Sequence, residues 1–168
     1  MKKYESQPEM WVRSLGMQRH PEGGWYSEVY RSSGIFRGTA LPEHNGDRPF
    51  MTSIYFMLQS GDVSRLHRLK SDEIWYHHAG GGLTVHQISA DGKYHAVQLG
   101  QNLAAGERLQ VVVQAGTWFG ATLNAEEAAL VGCAVAPGFD FADFELAKRK
   151  ALIAQFPQHE AMINRLTG

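Results

Sequence analysis

Nine short segments rich in β-branched and aromatic residues constrain the fold of this chain more than any other feature. Each is closed by Gly, Pro, Asn or Asp, the residues that favour turns. The segments read WYSEVYRSS, RPFMTSIYFMLQ, DVSRLHRL, DEIWYHHA, GLTVHQIS, YHAVQLG, RLQVVVQ, TWFGATL and AALVGCAVA. Short strands at such regular spacing are typical of an all-β sandwich or barrel. Asp91-Gly92, between two alternating runs, predicts a tight hairpin.

Helices are predicted only near the two ends of the chain. Ser6 and Glu9 have the spacing of a capping box, which predicts a short helix ending at Gly16. The apolar periodicity after Pro137 predicts a helix over about 141–154, and a shorter one follows Pro157. We expect these helices to pack outside the barrel. The polar stretch 38–49 predicts a long loop at one end of it.

The size and charge of the chain exclude several classes of protein. Its 168 residues predict one domain over 1–168, with a barrel over about 22–137 and a helical segment over about 140–166. With 16 Lys and Arg against 17 Asp and Glu, there is no basic stripe for nucleic acid. No run approaches the roughly 20 apolar residues of a membrane span. A single cysteine, Cys133 in an apolar run, indicates a structural thiol in a reducing compartment, so we expect a cytoplasmic protein.

One segment, PFMTSIYFML, is apolar on both of its faces. Phe50, Ile54 and Phe56 share one face by strand alternation, whereas Met51 and Tyr55 fall on the other. A strand that is apolar on both faces is covered on both faces. The interior of the barrel covers one face, and a second sheet or a partner subunit covers the other, so the sequence predicts a homodimer.

The densest group of potential catalytic or metal-binding side chains lies in GDVSRLHRLKSDEIWYHHAGG, residues 61–81. It contains His67, Glu73, His77 and His78. Because side chains alternate along a strand, Glu73 and His77 share one face and His78 points to the other. His67, Glu73 and His77 could therefore meet inside the barrel.

The spacing of this stretch resembles the first motif of the cupin superfamily. Five residues separate Gly61 from His67, and six residues separate Glu73 from Gly80. The stretch VVVQAGTWFGATL occupies the place of the second cupin motif. Together with HPEGGWYSEVYRSS, AGTWF and VGCAVAPGFDFADFE, these motifs are similar to a family of small single-domain cupins whose biochemical function is unassigned. The resemblance implies a double-stranded β-helix, the cupin jelly-roll barrel.

The same resemblance bears on metal binding. Cupins normally hold a metal with three histidines and one carboxylate, and this chain keeps only His67 and Glu73 of that set. Leu69 and Phe119 stand where the other two histidines would be expected. We therefore favour a site without metal. A divalent ion on His67, Glu73 and His77 is the alternative, with His20 as a further donor.

Without metal, the resemblance to sugar epimerases of the cupin fold implies acid and base catalysis. His67, oriented by Glu73, would act as the base, and a tyrosine would act as the acid. Tyr55 is our first choice for that acid, with Tyr76 and Tyr26 as alternatives. The further residues expected to contact a ligand are His20, Trp25, Arg68, Trp75, His77, Trp118 and Phe119.

Three classes of function remain open from the sequence. The first is a metal-independent isomerase or epimerase that acts on a carbonyl-bearing, carbohydrate-related small molecule. The second is a metal-dependent cupin oxygenase or isomerase. The third is a module that binds a small ligand without catalysis.

Overall fold

The computed structural model describes residues 5–168, and within them the chain is an all-β jelly roll with three short helices. The strands are β1 Gln18–Arg19, β2 Trp25–Arg31, β3 Ile35–Phe36, β4 Arg48–Pro49, β5 Thr52–Leu58, β6 Val63–Arg68, β7 Asp72–Gly80, β8 Leu83–Ile88, β9 Tyr94–Leu99, β10 Gln110–Val113, β11 Trp118–Leu123, β12 Ala129–Ala136 and β13 Glu145–Leu146. The helices are α1 Gln7–Ser14, α2 Arg149–Gln155 and α3 Glu160–Leu166. The predicted all-β class is confirmed.

Two antiparallel sheets form the barrel. One has six strands in the order β1-β2-β5-β12-β7-β10, and the other has five in the order β13-β6-β11-β8-β9. Their inner faces meet in one apolar core, to which Phe56 and Trp75 contribute from the first sheet and Val85 and Phe119 from the second. The β8–β9 hairpin turns at Gly92, which has a positive φ of 80°, so the predicted turn is confirmed.

The N-terminal helix covers part of the outer face of the six-stranded sheet. The backbone N–H of Ser6 donates to the Glu9 carboxylate at 2.8 Å, so the predicted capping box starts α1. Trp11 of this helix packs in one cluster with Met57 and Tyr55 of β5. Over this half of β5, helix α1 of the same chain therefore covers the outer face. The sequence had predicted a second sheet or a partner subunit there.

The C-terminal segment departs from the helix predicted over 141–154. Residues 141–143 form a single 3₁₀ turn, Glu145–Leu146 pairs with β6, and α2 begins only at Arg149. The apolar spacing of Phe141 and Phe144 misled the prediction, because both rings pack against the His20 ring and not along one face of a helix. Helices α2 and α3 pack outside the five-stranded sheet, as expected.

The long loop predicted over 38–49 also contains regular structure. Residues Gly38–Ala40 form a 3₁₀ turn, and Arg48–Pro49 pairs with Ile35–Phe36 in a small two-stranded sheet. Within residues 5–168 no helix is long and apolar enough to cross a bilayer.

Candidate functional site

A cavity of about 280 Å³ opens into the barrel, a volume near the lower limit of small-molecule pockets. Its walls combine apolar and ionisable side chains. The apolar wall is made by Ile54, Phe56, Leu69, Trp75, Val135, Phe139 and Phe141. The ionisable and other polar groups are Gln18, His20, Glu22, Tyr26, Glu28, Arg31, Thr52, His67, Glu73, Cys133 and Asp140. The cavity could therefore enclose a small molecule that has both apolar and polar parts.

The turn between β1 and β2 carries Glu22 into this cavity. Glycine is required at position 23, which has a φ of 109°, because a Cβ there would collide with the backbone carbonyl of Val63. The backbone N–H of Arg65 donates to the Glu22 carbonyl at 2.8 Å and ties the turn to β6. A sharp turn against β6 thus buries a glutamate whose exposed fraction is 5%.

The Glu22 carboxyl group is the centre of a buried cluster. Its Oε1 accepts a hydrogen bond from Ser64 at 2.7 Å. Its Oε2 lies 3.2 Å from Nε2 of His67 and 3.3 Å from Nδ1 of His20. The nearby Arg65 guanidinium donates to the backbone carbonyls of Pro21 and Glu22 rather than to the carboxylate. No cation therefore pairs directly with this carboxyl group in the described part of the chain.

Contacts with backbone groups fix the protonation of the two rings. Nδ1 of His67 lies 2.7 Å from the Arg65 carbonyl, which can only accept, so this nitrogen carries the proton. Nδ1 of His20 accepts from the backbone N–H of Glu22 at 3.2 Å, so it carries none. In the neutral rings, both nitrogens that face Glu22 Oε2 are acceptors. One proton must therefore lie between Glu22 and the two imidazoles.

Burial determines where that proton resides. The buried position of His67 lowers its pKa to about 4, and burial likewise lowers the pKa of His20. Burial raises the pKa of Glu22, an increase that His20, Ser64 and Arg65 partly offset. Burial thus disfavours the charged form of each ring, and the proton that these contacts require is held between Glu22 and the two rings.

A second buried carboxyl group, Glu73, also lines the cavity. Burial, together with the neighbouring Glu22, raises its pKa to about 8, so it is protonated at neutral pH and can donate a hydrogen bond. The neighbouring Cys133 thiol and Trp75 indole partly offset this increase. The Cys133 thiol is buried, as predicted, and desolvation raises its pKa well above the usual range. It is therefore a poor nucleophile.

A bulge in β2 shapes the rim of the cavity. Glu28 pairs with Ile54 and Arg31 with Thr52, whereas Val29 has no partner on β5. Because directly paired residues share a face, the bulge turns both Glu28 and Arg31 toward the cavity. Their side chains form a bidentate ion pair at 3.0 and 2.7 Å.

The structure brings four of the predicted site residues to the cavity, which are His20, His67, Glu73 and Trp75. The pairing differs from the expected one, because the carboxyl group beside His67 is that of Glu22 and not that of Glu73. Glu22 was missed by the sequence analysis. The HPEGGWYSEVYRSS motif that carries it contributes to the resemblance to the family, but His20 and not Glu22 is the site residue predicted from this turn.

Other predicted residues lie away from the cavity. Tyr55 is on the outer face of its sheet, where its ring packs edge-on against His78 at 5.7 Å. Of the three candidate acids, Tyr26 lines the cavity. Trp25 packs with α1 and lies under the Arg19 guanidinium. Tyr55 and Trp25 are thus not placed to touch a ligand in this cavity.

The remaining predicted residues have structural partners. Arg68 pairs with Glu145 at 2.7 Å and stacks over Trp118, which packs against the C-terminal helices. Phe119 is buried against His67 with ring centroids 4.1 Å apart. His77 does face inward, but its Nε2 donates to the Gly81 carbonyl at 3.0 Å, away from the cavity. The structure therefore does not bring His77 to Glu73 and His67.

Comparison with known proteins identifies the family of this chain. Residues 9–147 match the model described as Cupin superfamily (DUF985). The chain belongs to this cupin family. The crystal structure of a protein from Shewanella oneidensis is 43% identical with a TM-score of 0.89, covering 97% of this chain and 98% of that one. A hypothetical protein from Leishmania major is 37% identical with a TM-score of 0.88, covering 96% and 98%.

More distant structures share only the fold with this cupin. Oxalate decarboxylase from Bacillus subtilis at pH 4.6 is 19% identical with a TM-score of 0.55, covering 88% of this chain and 36% of that one. Comparison with curated proteins finds no significant match.

The donor atoms do not fit the metal that the wider cupin superfamily implies. Leu69 lines the cavity and Phe119 packs on His67, so two of the four expected ligand positions hold side chains without donor atoms. Among residues 5–168, no three or more His, Cys, Asp or Glu side chains are arranged to hold a metal ion. We therefore derive the chemistry of this cupin from its own ionisable groups.

Proposed function

We propose that this cupin binds a small carbonyl-containing, carbohydrate-related molecule in the cavity and transfers protons within it, as an isomerase or epimerase does. One observation carries the proposal: Glu22 Oε2 lies within 3.3 Å of acceptor nitrogens on both His20 and His67. Such a cluster can release and accept a proton without a large change in structure. Because the cluster and Glu73 line one cavity, a bound molecule would meet a base and a hydrogen-bond donor together.

The base in this proposal is the Glu22 cluster. A proton leaves the carbon next to the substrate carbonyl and joins a carboxyl oxygen of Glu22, while the proton already held in the cluster moves to a ring nitrogen of His20 or His67. The charge of the cluster rises by one, and the substrate becomes an enolate. The two imidazoles let the added positive charge spread over His20, Glu22 and His67. The breaking C–H bond leaves its electron pair on the substrate, where it moves onto the carbonyl oxygen.

Glu73 is the group that stabilises that oxygen. Because its pKa of about 8 keeps it protonated at neutral pH, its O–H can donate to the developing negative charge. The apolar wall around it, including Phe56 and Trp75, strengthens this hydrogen bond by excluding water. A neutral donor in an apolar cavity favours substrates with a carbonyl group over those without one.

Return of the proton defines the product. The Tyr26 ring lies 4.7 Å from the His20 ring, so the tyrosine and the cluster are neighbours. Neighbouring acid and base groups favour a proton shift between adjacent carbons along one side of the substrate, which is isomerisation. In this scheme Tyr26 protonates the former carbonyl oxygen, and the neighbouring hydroxyl group returns a proton to the tyrosinate as the new carbonyl forms. The cluster gives its proton to the carbon that carried the original carbonyl.

Hydrogen exchange in D₂O tests this function without knowledge of the physiological substrate. The purified protein would be incubated with D-glyceraldehyde, dihydroxyacetone, D-xylulose and D-fructose, and NMR would follow deuterium entering the carbon next to the carbonyl. We expect exchange with at least one sugar, and a loss of roughly 10²–10⁴-fold for Glu22→Gln, the usual contribution of a general base. Glu160→Gln, on the exposed surface of α3, is the control and keeps the wild-type rate.

Two outcomes would overturn the proposal. Equal exchange rates for wild type and Glu22→Gln would remove the cluster from the reaction. Measurable binding of a sugar with no exchange in any of them would leave a ligand-binding module without catalysis.

A further inference from the structure

The indole N–H of Trp75 is a hydrogen-bond donor that no group of the described chain satisfies. The Trp75 side chain lines the cavity, is 1% exposed, and has a buried Nε1. Within residues 5–168, no side chain or backbone group accepts a hydrogen bond from this nitrogen. Buried polar groups in folded proteins nearly always have a partner. The acceptor for this N–H is therefore supplied by a molecule that occupies the cavity.

Strand alternation places a second donor beside the first. Glu73 and Trp75 are successive inward-facing residues of β7, and they pair with Val135 and Cys133 of β12. The indole is close enough to the Glu73 carboxyl group to lower its pKa, but Nε1 makes no hydrogen bond to it. A protonated Glu73 and the indole are thus neighbouring donors, and one oxygen atom of a bound molecule can accept from both.

Packing holds the indole in one orientation. Its ring contacts those of Phe56 and Phe119, with centroids 5.4 and 6.3 Å away, and both phenylalanines are themselves buried. The strand that carries Trp75 is internal to its sheet, with β12 on one side and β10 on the other. A donor fixed in this way needs no reorganisation when charge develops on the oxygen that it contacts.

We propose that the Trp75 N–H and the Glu73 O–H together bind one oxygen atom of the ligand, the carbonyl oxygen that becomes the enolate oxygen in the proposed reaction. This inference rests on the proposed function, to which it adds a second donor and the position of the substrate carbonyl. Trp75 is then a catalytic residue and not only part of the apolar wall.

The charges around the cavity narrow the class of substrate further. Among the described residues that line it, Arg31 is the only arginine or lysine. Its guanidinium already donates to the Glu28 carboxylate and to the Phe139 carbonyl. Phosphate groups are usually bound by arginine or lysine side chains that are free to pair with them. The expected substrate is therefore an uncharged carbonyl compound and not a phosphorylated one.

The four tryptophan N–H signals in a ¹H–¹⁵N NMR spectrum of the full chain test the contact directly. Trp75→Phe identifies the Trp75 signal by its loss, and Trp→Phe variants at the other three positions identify it by elimination if Trp75→Phe does not fold. At pH 7, dihydroxyacetone should shift this signal, whereas glycerol, which has a hydroxyl group in place of the carbonyl, should not. Dihydroxyacetone phosphate should bind more weakly than dihydroxyacetone.

The Trp25 signal is the internal control, because its Nε1 is also buried without a partner in the described chain but Trp25 does not line the cavity. It should not move with any of these compounds. Three outcomes would overturn the proposal: an unchanged Trp75 signal with all four sugars of the exchange experiment, an equal shift with glycerol, or tighter binding of the phosphate.

Deuterium exchange separates this inference from the proposed function. Trp75→Phe keeps an aromatic ring but removes the N–H, so the exchange rate should fall about 10²–10³-fold, the usual effect of removing one donor to an oxyanion. Trp11→Phe changes a buried indole outside the barrel and should keep the wild-type rate. A rate that Trp75→Phe leaves unchanged would overturn the inference and leave the function standing. A carbonyl-dependent shift of the Trp75 signal without exchange in any sugar would overturn the function and support the inference.

Discussion

The carboxyl groups of Asp143 and Glu22 are both buried near histidine, but only that of Asp143 is paired with an arginine side chain. Asp143 receives two hydrogen bonds from the Arg48 guanidinium, at 2.6 and 2.8 Å, and His44 stands 4.0 Å away. Glu22 has two imidazoles and a hydroxyl group around it, and the nearest arginine bonds to the backbone instead. Both carboxyl groups are at least nine-tenths buried.

The presence or absence of a permanent cation indicates a different role for each cluster. The Arg48–Asp143 pair balances its charge internally, and it joins the loop at 48 to the segment at 139–144 whose phenylalanines close the cavity. Such a pair fixes structure, because the guanidinium supplies the buried carboxylate with a permanent opposite charge. The Glu22 cluster lacks a permanent cation, so its charge is set by one mobile proton. We therefore assign the first cluster to stability and the second to chemistry.

The largest expected effect is on the structural cluster. Arg48→Met would leave Asp143 buried without its cation, and breaking a buried pair in this way costs about 3–5 kcal/mol of the free energy of unfolding. Urea denaturation would measure the loss. Arg37→Met is the matched control in the same loop, because the Arg37–Asp47 pair is exposed, and pairs of that kind contribute at most about 1 kcal/mol. Equal losses in the two variants would contradict the distinction.

An intermediate effect is expected from pH. Glu73 holds a proton in the folded state up to about pH 8 but loses it near 4.5 when unfolded, so its contribution to stability falls as pH rises between these values. His67 acts oppositely, since its folded pKa of about 4 lies below 6.5, and stability rises with pH only between these two values. Above pH 6.5, Glu73 therefore contributes to the pH dependence of stability whereas His67 no longer does.

Denaturation between pH 6.5 and 8 should show this decline. The free energy of unfolding should fall by up to about 1.4 kcal/mol per pH unit for Glu73, the amount that corresponds to one proton. Glu73→Gln should flatten the decline, whereas the surface variant Glu160→Gln should retain it. A wild-type free energy of unfolding that increases with pH over this range would show that Glu73 is not protonated in the folded protein.

The smallest expected effect is on the stability of Glu22→Gln. A glutamine amide at position 22 can donate its two hydrogens to His67 and His20 and accept from Ser64, so each contact of Glu22 is kept. We expect a change within about 1 kcal/mol, against the several lost for Asp143→Asn, which removes the charge that Arg48 requires. Thermal denaturation of both variants would sharpen the comparison. A loss as large for Glu22→Gln as for Asp143→Asn would make the Glu22 cluster a structural one.

Local pattern was enough to predict much of the fold. Turn residues such as Gly92 and the capping box of Ser6 and Glu9 depend on neighbours within a few residues, and the structure has both as expected. Phe141 and Phe144 show the limit of the method. Their spacing matches a helix, but their contacts with His20 join segments more than 100 residues apart, and those contacts override the local pattern.

The site was predictable only in part, for the same physical reason. His67 and Glu73 follow from motif spacing, and both line the cavity. Glu22 lies in a turn that looks exposed in the sequence, and its burial depends on Ser64 and His67, more than 40 residues away. Tyr55 could have been set aside from alternation alone, because it falls on the face opposite Ile54.

Nitrogen-15 NMR of the imidazole rings tests most directly whether Glu22 shares one proton with His20 and His67. At pH 7, we expect His67 to be neutral with its proton on Nδ1 and to remain neutral until the pH approaches 4. His20 should be neutral with its proton on Nε2. Glu22→Gln should leave both forms unchanged. A neutral His67 that carries its proton on Nε2, or a His67 that titrates at its ordinary value near 6.5, would contradict the account.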